Sequence, residues 1–319
     1  MNTAVVAPPI ARRLSGLVIA CLAATWLIWG STYLAIKFAL AGFAPFFGMG
    51  TRFLAAGAVL AAWMRWRGVP WPSGVQWRNA LIVGALMLGA GMGGTATAEQ
   101  TVGSGLVVAF IAVLPLMIAL VNRAYGVRTG GIEAIGIGIG LIGVLMLTQG
   151  EGFRASPTGL VAIVVACLSW ALGSVLSQHK LPLAPGPMGF ASEMLCGGAV
   201  LVVLSALSGE SMRFPTVVAP WLAWAYLVVF GSLVAFNAYM VLLARASAAL
   251  ASSYSFVNPL IAMFLGVALA GETVSRFEWM SVGVVLGGVV LLMWRRSPTD
   301  AGRIRPRSPQ TGRNASPTR

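Results

Sequence analysis

His179 and eight acidic residues, only one of them an aspartate (Asp300), are the whole stock of imidazole and carboxylate side chains in 319 residues. They are scattered. No His, Cys, Asp and Glu fall at metal-ligand spacing, and no His and acid can be placed beside a nucleophile, so no catalytic or metal-binding residue is assigned. The run Gly138-Ile139-Gly140-Leu141-Ile142-Gly143 spells a dinucleotide fingerprint. It lies in an apolar stretch with no strand before it, so close helix packing through Gly136/Gly140, and through Gly283/Gly287 later in the chain, is the better reading. A Gly-rich nucleotide loop with its Lys is missing too, and no cofactor is expected.

What remains is a set of polar residues embedded in apolar runs. Trp26, Trp29, Tyr33 and Lys37 follow one another at three- or four-residue steps and so share a helix face. Trp170, Ser174, Ser177 and Gln178 repeat the arrangement. Aromatic residues at headgroup level would also give such a stripe, but Trp29 and Trp170 fall deeper, where lining a cavity is the competing reading. Ser247, Tyr254, Ser255 and Asn258 lie roughly on one face beside Pro259, preceded by Asn237 and Tyr239. Pro115 and Pro259 each delete a backbone donor and free a carbonyl one turn earlier, which a water-filled cavity or a neighbouring helix must satisfy.

The candidate substrate-binding residues are therefore Trp29, Tyr33, Trp170, Ser174, Asn237, Tyr254 and Asn258. Arg52, Glu99 and Glu193, with Pro115 and Pro259, are the candidates for gating or charge movement. Counted at 1.5 Å per residue, Arg52 lies ~10 Å from one membrane boundary and Glu193 ~9 Å from the other, leaving ~11 Å of a ~30 Å core between them. Two long side chains nearly close that gap. A structural charge near a helix end is the alternative for both, and Glu99 also reads as an ordinary interfacial acid.

The elements that must position these residues are membrane helices. Hydrophobic residues make up 58% of the chain and charged residues 9%, against roughly a quarter charged in soluble domains, and mean hydropathy is +0.86. Ten apolar runs, at 14–40, 45–66, 79–97, 102–123, 130–147, 159–177, 187–207, 221–243, 246–269 and 277–294, each come near the ~20 residues that cross a bilayer. An internal echo organises them. Gly30-Ser31 and Lys37 return as Gly173-Ser174 and Lys180, Arg52 to Leu60 as Glu193 to Leu201, Pro115 as Pro259, and Glu133, Gly138 and Gly143 as Glu278, Gly283 and Gly288. The expected fold is an all-α membrane protein of ten transmembrane helices in two five-helix repeats, 14–150 and 157–296. Because five is odd, the copies enter from opposite faces and are inverted, which puts a site near the midplane between them.

Charge orients the chain. Arg65, Arg67, Arg78, Arg123, Arg128, Lys180 and Arg245 fall in loops on one side, together with the flanking Arg12, Arg13, Arg295 and Arg296; the other side holds Arg154, Arg213 and Arg276. Both termini are placed in the cytoplasm by this bias. The net charge of +13 then faces anionic lipid, a better reading than nucleic-acid binding. Residues 1–13 read as a cytoplasmic N-terminus; a cleaved signal peptide is disfavoured because the first run carries the element that pairs with the sixth. The basic tail 297–319 is expected to be disordered, and Cys21, Cys167 and Cys196 read as small buried apolar residues.

The segments Trp29 to Tyr33 (WGSTY), Thr51 to Gly57 (TRFLAAG), Ser169 to Ser174 (SWALGS), Tyr254 to Pro259 (YSFVNP) and Gly271 to Thr273 (GET) resemble the EamA-type branch of the drug/metabolite transporter superfamily, most of all its YedA-like group. The resemblance covers about Leu14 to Trp294. It implies a ten-helix inner-membrane carrier with a central cavity, of a kind whose characterised relatives mostly export amino acids and other small metabolites. Arg52 matches the arginine usual in the family's second helix, whereas Glu193 stands where the second copy need not keep a basic residue, which argues against a symmetric charge role. The expected function is secondary export of a small metabolite such as an amino acid; a proton-coupled cationic-drug exporter, which would need an embedded acid such as Glu193, and a membrane-embedded enzyme are the alternatives. The expected partners are a small-molecule substrate and the lipid bilayer, with the chain working as a monomer or a weak homodimer.

Overall fold

The computed structural model describes residues 15–102, 107, 110–112, 114–126, 130–147, 149, 156–246, 253–270 and 275–294. The expectations placed on 1–13, Arg128, Arg154, Ser247, Gly271 to Thr273, Arg295, Arg296 and the tail 297–319 lie outside the described residues.

All described elements are helices. α1 (Gly16–Leu40) begins where the Ser15 hydroxyl accepts from the Val18 N–H, and α2 (Pro45–Trp66) begins on a proline, whose absent N–H and fixed φ suit the first turn. α3 (Gly74–Gly84) opens on a capping box between Ser73 and Gln76, satisfying two orphan donors at once. It runs through a π-helical stretch, π1 (Ala85–Met92), into α4 (Gly93–Glu99). α5 (Leu114–Ala124), α6 (Gly131–Leu147), α7 (Pro157–His179) and α8 (Pro187–Leu207) follow. α9 (Val218–Tyr226) passes through a second π-helical stretch, π2 (Leu227–Val234), into α10 (Ala235–Arg245), and α11 (Tyr254–Ala270) and α12 (Arg276–Trp294) complete the order.

Among the described residues, six continuous helical runs are long and apolar enough to cross a membrane: 16–40, 45–66, 74–99, 157–179, 187–207 and 218–239. Leu27, Val161 and Leu222 lie exposed on their outer faces, and helices apolar all round belong in lipid. α5, α6, α11 and α12 fall on the other four expected runs; in their described parts α5 has 11 residues and α6 and α11 have 17 each.

Small residues set the closest crossings. A Cβ on Gly50 would lie 3.0 Å from the Val202 nitrogen, and one on Gly57 3.0 Å from the Leu195 nitrogen. Moving forward along α2 thus moves the contact backward along α8, so the two run antiparallel. α6 and α12 cross in the same sense, Gly143 against Ser281 and Val285, and Gly288 against Gly136 and Gly140. Backbones approach this closely only where no side chain intervenes. Gly136 and Gly140 pack as expected, but their partner is Gly288: a Cβ on Gly283 or Gly287 would meet open space, because these two occupy another face of α12.

Candidate functional site

A cavity of ≈ 70 Å³ opens between elements of both halves, room for about five waters at ~10–15 Å³ each. Trp29 and Tyr33 of α1, Arg52 of α2, Thr95 of α4, Trp170 of α7, Phe236 of α10, and Tyr254 and Asn258 of α11 all line it. Five of the seven expected substrate-binding residues are therefore brought together, with Arg52 added from the charge candidates.

Of the two π-helical stretches, π1 lends Gly91 and Met92 to the wall, and π2 lies behind it against Trp29 and Arg52. Each is eight residues long, and they occupy equivalent places in the third and eighth apolar runs. A π-turn widens the helix and loosens its hydrogen-bond ladder, so side chains from elsewhere can complete it. The Trp29 indole Nε1–H donates to the Gly231 carbonyl of π2 at 3.1 Å. Its ring meets Tyr254 edge-on at 4.5 Å and packs on Tyr239 and Phe236 at 5.3 and 5.4 Å. Trp170 lies against Gly91 of π1, where a Cβ would come within 3.1 Å of its ring. Each tryptophan thus abuts the π-stretch of the other half.

Asn258 is wholly buried beside the Tyr33 hydroxyl, yet neither atom of its amide completes a well-aligned hydrogen bond among the described residues. Groups buried in that condition are uncommon, because desolvation is left uncompensated. Arg52 is 2% exposed. Its Nε–H donates to Ser232 Oγ at 3.1 Å and Nη1 to Met49 Sδ at 3.6 Å, while the guanidinium sits over the Phe53 ring at 4.8 Å.

Glu193 is not its partner. Arg52 turns toward π2, where Gly231 leaves space for Nη2, and Glu193 lies near Tyr239 and Cys196. The Glu193 Oε1 atom has no hydrogen-bond partner among the described residues, nor has either oxygen of Glu99, which lies near Lys37 and Tyr33. Neither glutamate lines the cavity.

Ser174 and Asn237 also stand outside it. Ser174 Oγ faces Met87 Sδ at 3.9 Å, and Asn237 lies in a groove with Val59, Leu60 and Trp63, its amide donating to the Leu233 carbonyl of π2. Pro259 lies inside α11, next to Asn258. Pro115 lies in the fourth run as expected from the sequence, between a turn at Ala112 and the rest of α5, next to the cavity-lining Leu114. Sequence reasoning missed Thr32, Phe53, Met92, Thr95 and Phe236 in the wall, and Ser232 behind Arg52.

At one end of the bundle the two halves hold each other by a polar and aromatic contact. The Glu210 carboxylate accepts from the Phe46 and Phe47 N–H groups at 3.1 and 3.0 Å, at the positive end of the α2 dipole. Phe43, Phe47, Phe214 and Trp221 stack around it with ring separations between 5.2 and 6.4 Å.

Residues 14–149 and 157–294 each match the EamA-like transporter family. The chain belongs to that family. Over 270 residues, 84% of this chain and 88% of the relative, it is 40% identical to the uncharacterized inner membrane transporter YedA of Escherichia coli K12. It is 25% identical to Protein PecM of Dickeya dadantii over 271 residues, 83% of this chain and 88% of PecM. A WAT1-related chloroplastic protein of Arabidopsis thaliana is 25% identical over 279 residues, 84% of this chain and 67% of that one. A protein of known crystal structure superposes with a TM-score of 0.68 at 20% identity, covering 87% of this chain and 96% of that one, a likeness of fold alone.

Proposed function

We propose that the chain is an inner-membrane secondary carrier that exports a small metabolite, such as an amino acid, by alternating access through the cavity at Trp29, Trp170 and Asn258. The carrying observation is that both halves supply its lining, Tyr33, Arg52 and Thr95 from one and Trp170, Tyr254 and Asn258 from the other. A site shared in this way changes its access when the halves rock against each other. The inverted-repeat reading is supported by the antiparallel crossings of α2 on α8 and α6 on α12, each a pair of repeat equivalents, as a two-fold axis across the helices would produce. The two family matches, 14–149 and 157–294, support halves close to 14–150 and 157–296.

The cationic-drug reading has less support, since the described lining contains an arginine and no acid. The test is transport by purified protein in liposomes, with a panel of labelled amino acids, with and without a proton gradient. Asn258→Ala and Trp170→Ala are expected to lower transport at an unchanged amount of inserted protein. Full activity in both would put the route elsewhere.

A further inference from the structure

Arg52 is the one charged side chain among the described residues lining the cavity, and the contacts that hold it, Ser232 and Met49, are neutral. Those two contacts use only part of a guanidinium, whose five N–H donors form a rigid fork. The nearest embedded acids face elsewhere: Glu193 lies near Tyr239 and Cys196, and Glu99 lies near Lys37, close to the Tyr33 hydroxyl that also neighbours Arg52. A cation held in a membrane interior among neutral groups is costly until an anion joins it. Around it stand neutral hydrogen-bonding groups, Thr32, Thr95 and the Asn258 amide, which beside the Tyr33 hydroxyl completes no well-aligned hydrogen bond among the described residues.

The geometry points to a substrate class: a small organic anion, a carboxylate carried on an aromatic or apolar body. The carboxylate takes the Arg52 fork and the Asn258 N–H, and the body lies among Trp29, Trp170 and Tyr254. A guanidinium suits this because its parallel N–H groups match both carboxylate oxygens. The described lining holds no acid to receive an ammonium group, so an α-amino group is not required, and a cationic amphiphile meets like charge. This inference rests on the reading of the cavity as the transport site. At ≈ 70 Å³ the cavity is smaller than such a molecule, and the halves must part to admit it.

Calorimetric titration of the purified full-length protein in nanodiscs, with four probes sharing one phenyl ring, tests it: 3-phenylpropionate, phenylalanine, 3-phenylpropionamide and phenethylammonium. Wild-type protein is expected to bind 3-phenylpropionate at least about tenfold tighter than phenethylammonium, the scale of one charge-assisted hydrogen bond. Arg52→Gln is expected to bring the affinity for 3-phenylpropionate down to that for its amide. Equal or tighter binding of the ammonium probe by wild type, or an anion preference that survives in Arg52→Gln, would overturn the assignment. If Arg52→Gln does not fold, the wild-type ranking decides alone, and binding of none of the four also rejects the class. Trp170→Ala leaving every affinity unchanged would instead reject the cavity as the site.

Discussion

The indole of Trp29 donates its hydrogen bond to the backbone carbonyl of Gly231, joining the first helix of one half to the π-helical stretch of the other. The bond satisfies a carbonyl in a stretch whose own ladder is loosened, and it holds the Trp29 ring against Tyr254. Position and bond are therefore coupled. Trp29→Phe keeps an aromatic ring but removes the donor, and is expected to cost ~1–2 kcal/mol of stability. Transport should fall several-fold in proteoliposomes, with a lower melting temperature in detergent; a variant unchanged in both would show that the bond is incidental.

Two buried glycines should respond differently to a methyl group. At Gly84 a Cβ would fall 2.7 Å from the Glu193 carbonyl oxygen and 2.9 Å from the Gly197 nitrogen, both main-chain atoms. At Gly231 it would fall 3.0 Å from Arg52 Nη2 and from Thr32 Cγ2, both side-chain ends. Rigid backbone gives way poorly, so Gly84→Ala is expected to lose ~1–3 kcal/mol, in the range of overpacked cores, and with it much of the inserted protein. Gly231→Ala should insert normally and lose transport as Arg52 is displaced. Quantifying membrane-inserted protein and transport for both separates the cases.

Glu210 holds the halves against each other at the end of the bundle that carries the α1–α2 connection. Its carboxylate covers two N–H groups that start α2, a charge-assisted cap worth ~0.5–2 kcal/mol. Glu210→Ala should weaken that contact without touching the cavity. In a background with Cys21, Cys167 and Cys196 replaced, a cysteine at Phe43 should label faster in Glu210→Ala than in its parent. Equal labelling rates would mean that the ring stack of Phe43, Phe214 and Trp221 holds this end by itself.

The distribution of arginines carries its own test. Reporter fusions after Arg67, Arg128 and Arg245 are expected to read cytoplasm, and fusions after Gly42, Glu151 and Glu210 to read periplasm, by the positive-inside rule. The opposite result would exchange the two faces of the carrier and move the Glu210 contact to the cytoplasmic side.

How far the fold could be read from the residues depended on what each element required. The runs 45–66 and 187–207 coincide with α2 and α8, since a proline fixes each start and polar residues end each run. The third run, expected at 79–97, begins at Gly74, because Gln76 and Arg78 lower the hydropathy of a first turn that a capping box nonetheless holds. The π-helical stretches have no hydropathy signature; Gly89 and Gly231 at matching repeat positions were the only hint. Arg52 and Glu193 show the limit most clearly. Counting residues gives a position along a helix axis but not its rotation about that axis, and rotation decides that Arg52 meets Ser232. Rotation likewise places Asn237 in the groove beside Trp63 and Asn258 in the cavity.

The prolines are expected to behave unequally despite their matched places in the repeat. Pro259 lies within α11, so Pro259→Ala returns an N–H to an interior turn and can complete a ladder bond beside Asn258. Pro115 is the second residue of α5 as described, just past a turn at Ala112 that already interrupts the helical residues 110–111, so a restored N–H there meets a ladder that is broken in any case. Pro259→Ala should therefore stiffen the cavity wall and change both transport rate and the labelling of a cysteine at Ser31 or Ser174, assayed from each membrane face. Pro115→Ala should leave both close to the parent. A neighbour packed around the kink can preserve it after substitution, so the two measurements are read together: altered labelling in Pro259→Ala alone supports a hinge in α11. The same shift in both variants would mean that the two prolines act as equivalent hinges. Unchanged labelling in both would assign the motion to other elements, with the π-helical stretches at Gly89 and Gly231 next to be tested.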